Sequence, residues 1–301
     1  MKIDKPTANA FIAIDLQGAP CSTGIVRAAR KILQGGAKNL ARTTTYTFAA
    51  RELQVGGASA GISAEGDAVE AAIADFVTAV TPRVESGELA FDAGKGVTGE
   101  ALSALSSIDK RSTLRHETFE GFPLATYLVA ISAVASAEAA MGALEGKTAI
   151  VEEGPNTAAI TAVLAAYGIP SVETDPSKEV DLFFTASNDG RLDGETAGVL
   201  SAKAVIPTGP HALGAKGLAV LRRREIVAVP DFIATAGSSF AGWPGDAANA
   251  ADAVEATKKF VQGFMADVVS HEDGPVLAAC YKAEAFLATW QETLPFGRPL
   301  A

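Results

Sequence analysis

Cysteine, histidine, tryptophan and methionine are all scarce in this 301-residue chain, which has two, three, two and three of them. Cys21 and Cys280 cannot build a disulfide framework or a multi-cysteine metal centre. His116, His211 and His271 lie too far apart for the paired spacing of a zinc helix, so no metal is expected. Basic residues are also short: 25 Lys plus Arg against 35 Asp plus Glu leave a net charge of −10. That balance offers no footprint for nucleic acid or an anionic membrane, and the one basic run, Arg222-Arg223-Arg224, reads as a solvated face. No apolar h-region follows Met1-Lys2-Ile3-Asp4-Lys5-Pro6, so nothing suggests export. Leu124 to Leu144 is the longest apolar stretch. It is Ala-rich and carries Glu138, and burial of a helix against a sheet accounts for it better than a bilayer span. The chain reads as soluble and cytoplasmic.

What is abundant is apolar residue, 48% of the chain, enough for two cores of ordinary size at this length. Asn9–Leu16 reads as a buried strand and Gly24–Ala28 as a second. A helix is expected over 37–53, and another over 65–85, where Val69, Ala72, Phe76, Val80 and Val84 share one stripe. Leu89–Asp92 reads as a short strand running into the turn Gly94-Lys95-Gly96. Residues 119–123 read as a linker ahead of an Ala-rich helix over 124–144. Strands at 148–151, 171–172, 180–185, 204–207 and 226–229 alternate with helices, the pattern of a parallel sheet covered on both faces. Helices over 247–269 and 274–293 close the chain.

Three places have residue types suited to chemistry. Gln54–Ile62 is rich in Gly and Ala and reads as a loop, either a ligand's close approach or a tight helix–strand connection. Lys147–Ala159 runs from strand through turn to helix, where a doubly wound fold seats a pyrophosphate. Gly154 is its one glycine, and Glu152 and Glu153 would place negative charge beside a diphosphate. Asp175, 21 residues after Gly154, stands where an acid can accept from a ribose hydroxyl, or serves as an ordinary turn residue before Pro176. In Ala90–Lys95, Asp92 beside Lys95 reads as a helix cap near Thr98, with a general base as the alternative.

The order of segments over residues 9–245 resembles the glutamate/leucine/phenylalanine/valine dehydrogenases. The resemblance is carried by Leu40–Ala49, Gly56–Ile62, Ala90–Asp92, Leu144–Thr148 and Val229–Gly237. It implies an α/β fold: an N-terminal α/β substrate-binding and oligomerisation domain over 1–120, joined by the helix at 274–293. A Rossmann-like, doubly wound parallel-sheet domain over 121–273 would face it across a cleft. It also implies NAD or NADP, a small amino, imino or oxo acid as substrate, and a homo-oligomer. Residue by residue, Asp92 matches the family's acid–base aspartate, while its two lysines are matched by Thr47 and Ser59. Neutral hydroxyls there cannot supply a cation to a desolvated site. Gly56, Gly57, Lys95 and Thr235 would line the substrate. Gly154, Pro155, Asn156, Asp175, Thr185 and His211 would line the coenzyme, with Glu153, Pro155 and Ala158 at the three fingerprint glycines. Two functions are expected from this: an NAD(P)-linked oxidoreductase with rebuilt catalytic groups, or a dehydrogenase-like protein that binds a metabolite or partner without hydride transfer.

Overall fold

The computed structural model describes residues 1–300 apart from 170, 171, 174, 176, 177 and 187–189. The chain forms two compact units, Met1–Arg111 with Glu284–Pro299, and Ser112–Ala283 with Leu300. The first ends at Arg111 rather than at 120 because the following segment is bonded into the second unit: the Ser112 N–H donates to Gly242 O at 3.1 Å and the Leu124 N–H to Glu117 O at 2.8 Å.

The first unit is built on strands β1 (Lys2–Thr7), β2 (Ala10–Ile14), β3 (Cys21–Ala29), β4 (Val55–Ser63) and β5 (Leu89–Ala93), in the order β1-β2-β4-β3-β5. β1, β2 and β4 pair antiparallel, and β4, β3 and β5 parallel. Side chains alternate across the sheet. Ala10, Ile12 and Ile14 join Ala58, Ala60 and Ile62 on one face, covered by Ile73, Phe76, Val80 and Val84 of helix α2 (Ala68–Ser86). Phe11 and Ala13 face Ala37 and Ala41 of helix α1 (Gln34–Ala50) on the other. The stripe read for α2 is thus its core face, and Gly87, at φ +86°, ends it. Helix α3 (Ser103–Ile108) adds Leu105 to the same core.

Gln54–Ile62 is not a loop. Nearly all of it is β4, the middle strand of this sheet, buried along its length. Its small residues hid the strand because their purpose is close approach: a Cβ on Gly57 would stand 1.7 Å from Ala41 O of α1. Thr45 locks the contact, its hydroxyl accepting from the Gly57 N–H at 2.9 Å and donating to Ala41 O at 3.2 Å.

The second unit opens with a hairpin of β6 (Thr118–Phe119) and β7 (Phe122–Pro123), where a linker was expected. Helix α4 (Leu124–Met141) follows. Among the described residues it is the one helix long and apolar enough to cross a membrane, and 61% of it is buried inside the fold. Strands β8 (Ala149–Val151), β9 (Val180–Thr185), β10 (Ala202–Pro207) and β11 (Val227–Ala228) form a parallel sheet in the order β11-β10-β9-β8. Between them run α5 (Thr157–Ala166), α6 (Gly194–Val199) and α7 (Ala215–Arg223). The chain closes through α8 (Asp231–Ala234), α9 (Gly237–Gly242), α10 (Ala250–Val268) and α11 (Pro275–Leu287). Gly237 opens α9 against α4, where a Cβ would stand 1.8 Å from Leu128 O.

Residue 171 of the strand expected at 171–172 lies outside the described residues, but Glu173 bridges Ile150 in parallel, on the side of β8 away from β9. Strand order therefore reverses at β8, and the crevice of a doubly wound fold falls between the carboxyl ends of β8 and β9. Six residues separate Glu173 from Val180. A helical crossover to a further parallel strand takes at least about ten, more than this link has.

Candidate functional site

In the first unit, Asp92 stands near the end of β5 with its side chain 57% exposed. Arg111, itself 6% exposed, clamps it: Nη1 donates to Asp92 Oδ2 at 2.6 Å and Nη2 to Oδ1 at 2.9 Å. The same guanidinium donates to Phe91 O at 3.1 Å and, through Nε and Nη2, to buried Asp109 at 2.9 and 2.6 Å. Each Asp92 oxygen thus accepts one charge-assisted bond from the same guanidinium. Burial pushes the nearby Cys21 thiol up to about 11, against the pull of Arg111, so it is no ready nucleophile.

The two lysine-matching positions are closed. Thr47 is buried on α1, its hydroxyl donating to Thr43 O at 3.1 Å one turn back. Ser59 is 0% exposed, paired with Ala13 and Ile25 in mid-sheet, and its hydroxyl has no hydrogen-bond partner. Gly56 and Gly57 are interior strand residues whose smallness serves packing: Cβ atoms there would stand 2.9 Å from Ser22 Oγ and 1.7 Å from Ala41 O. Lys95 is exposed on the turn after β5, its carbonyl accepting from the Ala28 N–H at 2.9 Å.

In the second unit the turn after β8 is knitted to its neighbours. The Gly154 N–H donates to the Thr157 hydroxyl at 2.8 Å, and that hydroxyl donates to Glu152 O at 2.9 Å. Asn156 Nδ2 donates to Thr208 O at 2.9 Å, tying the turn to the end of β10. Thr208 in turn donates its hydroxyl to Thr185 O at the end of β9. Pro155 and Glu153 are exposed, so neither plugs the turn. Glu152 is the residue that spans the crevice. Its Oε2 accepts from the Ala186 N–H at 2.7 Å and from Arg191 Nε at 3.1 Å, while Arg191 Nη2 donates to Oε1.

A nicotinamide dinucleotide needs free backbone N–H groups and no anion at this turn. Here the Gly154 N–H is used, Pro155 has none, and a carboxylate bridges the strand ends. The residues present at this turn do not fit the coenzyme's diphosphate. Asp175 is exposed two residues beyond the Glu173 bridge.

His211 lies buried in the left-handed region, at φ +61°, on the loop after β10. It accompanies Asp231, fully buried at the start of α8, whose Oδ1 accepts from the Phe232 N–H at 2.7 Å. Thr235 donates its hydroxyl to Asp231 O at 2.8 Å. Burial pushes the Asp231 carboxyl up to about 6, against the Phe232 N–H, His211 and the backbone N–H groups of His211 and Ala212, which all favour the anion. The folded value lies above the usual 3.8. The native state therefore holds this proton more tightly, and stability from this group falls as pH rises from about 4 to about 6, by about 3 kcal/mol. Asp231→Asn should flatten that part of a stability-versus-pH curve measured by urea unfolding.

A separate cavity of about 490 Å³ opens beside edge strand β11, lined by Leu218, Arg222, Ile226, Val227, Asp273 and Leu300 among others. None of the candidate substrate, coenzyme or catalytic residues lines it, although Arg222 of the basic run does. Arg111, Arg191 and Asp231 were not singled out from the sequence. Asp231 sat inside the resemblance-bearing segment Val229–Gly237, whereas no motif marks the two arginines.

Two parallel-sheet units of this kind, the first with an antiparallel edge, are the fold of the amino-acid dehydrogenases. No family model matches the sequence, and no curated protein does. Among solved structures, the chain is similar to hetero-hexameric glutamate dehydrogenase from Thermus thermophilus (Leu bound form): 17% identity over 94% of this chain and 86% of that one, TM-score 0.74. Glutamate dehydrogenase from Peptoniphilus asaccharolyticus gives 16% identity over 93% and 86%, TM-score 0.69. L-tryptophan dehydrogenase from Nostoc punctiforme gives 18% over 93% and 91%, TM-score 0.66.

Proposed function

We propose that the chain is a metabolite-binding protein on the amino-acid dehydrogenase fold that does not transfer hydride. Ser59 carries this reading. At the position that matches a family lysine, a neutral hydroxyl sits wholly buried in mid-sheet with no polar partner. No ammonium is available there to stabilise charge developing on a bound amino or oxo acid. Thr47, bonded back into its own helix, supplies none either. The knitted turn after β8 supports the same conclusion for the coenzyme.

The other reading is an NAD(P)-linked oxidoreductase of a small amino, imino or oxo acid, with Asp92 as acid–base group and Thr47, Ser59, Lys95 and Thr235 about the substrate. Asp92, retained and exposed on β5, favours it. One experiment separates the two: NAD and NADP reduction with a panel of amino acids, and NADH and NADPH oxidation with oxo acids plus ammonium, with thermal shifts recorded on the same compounds. We expect no coenzyme turnover in either direction and a saturable shift with a carboxylate-bearing compound. Turnover with either coenzyme overturns the proposal. The hetero-hexameric state of the Thermus enzyme supports self-assembly of this chain, or assembly with a catalytically competent relative.

A further inference from the structure

The geometry points to a small-anion site at the carboxyl ends of β8 and β9, made by the Ala186 N–H and the Arg191 guanidinium and filled at rest by the chain's own Glu152. Three donors converge on that carboxylate: the Ala186 N–H at 2.7 Å, Arg191 Nε at 3.1 Å, and Arg191 Nη2. A backbone N–H beside a guanidinium edge is the arrangement that recognises a free carboxylate or a phosphate. The Glu152 side chain is 14% exposed and that of Arg191 30%, so the pair is reachable without unfolding either. Arg191 is steadied from the other side, Nη1 donating to Thr196 Oγ1 at 3.4 Å.

Size and donor number set the ligand class. Exchange of Glu152 for one external carboxylate keeps one negative charge against Arg191, and a monophosphate adds up to about one more. A diphosphate needs a longer row of donors, would lie beside exposed Glu153, and would meet no N–H on Pro155. Glu152 competes intramolecularly, at the high effective concentration of a tethered group. The wild-type site therefore answers only to an anion that outcompetes it, and removing Glu152 uncovers the site. This inference rests on the metabolite-binding reading and names its ligand class: a small carboxylate or phosphate.

The test is chemical rescue of Glu152→Ala and of the gentler Glu152→Gln. Thermal midpoints are followed while sodium acetate or inorganic phosphate is titrated against sodium chloride at matched ionic strength. We expect both variants to lose midpoint and regain it saturably. The half-saturating anion concentration should be at least about tenfold below that of the wild type, and Arg191→Ala added to either variant should abolish the response. Rescue by acetate alone assigns a carboxylate, by phosphate alone a phosphate, and by both the shared chemistry. A response no greater than chloride's, or one that survives Arg191→Ala, overturns the site. Coenzyme turnover by the wild type would remove the reading beneath it and leave this rescue unaltered, so the two failures are distinguishable.

Discussion

Ser59→Lys, which places the family's lysine at the matching position, is expected to unfold the first unit or come close to it. The side chain at 59 is wholly enclosed between β2 and β3, on the sheet face that also carries Gly57 and its contact with α1. An ammonium there has no counter-ion among the contacts described, so it must be buried charged or lose its proton, a cost of about 5 kcal/mol. Forcing three further methylenes into a close-packed site adds about 1–3 kcal/mol. Against a typical total of about 5–15 kcal/mol, that loss removes most or all of the stability. Ser59→Ala should do the reverse. It deletes a buried hydroxyl with no partner, so the urea midpoint should hold or rise, by up to about 1 kcal/mol. A Ser59→Lys protein that unfolds at the wild-type midpoint would mean the position is open, and would return the oxidoreductase reading to the front.

Arg42→Met is the second large effect. Asp15, with a side chain 0% exposed, receives Arg42 Nε at 2.9 and 2.8 Å and Nη2 at 2.7 Å. The remaining nitrogen, Nη1, donates to Phe296 O at 2.5 Å and to Gly297 O, so one side chain fixes both a buried acid and the C-terminal segment. Removing it strands Asp15, at a cost of about 3–5 kcal/mol. Amide exchange over residues 291–298 should accelerate in the same variant. Asp15→Leu with Arg42→Met removes the stranded charge and should recover much of the stability, while the tail amides stay fast. Recovery of both would show that Arg42 does not hold the tail.

The parts legible in the sequence were those with a period. The stripe of α2, the alternation of strands and helices from Thr148 to Val229, and the reversal implied by a doubly wound sheet all appear in the fold. β4 was missed because Gly and Ala carry almost no hydrophobic signal, although their size is what lets α1 lie on the sheet. β1 was missed too, since as an edge strand it is only half buried and its sequence does not alternate cleanly. At the candidate site, motif matching found positions but not partners. Arg111 lies 19 residues from Asp92 and Arg191 lies 39 from Glu152, separations at which no spacing rule applies. Glu152 was read from its own charge alone; that it has a cation of its own, Arg191, could be seen only in three dimensions.

The short link from Glu173 to Val180 sets a limit on redesign. A strand with its return helix occupies on the order of thirty residues. Widening the sheet on that side would therefore take an insertion at the link, not a handful of point changes.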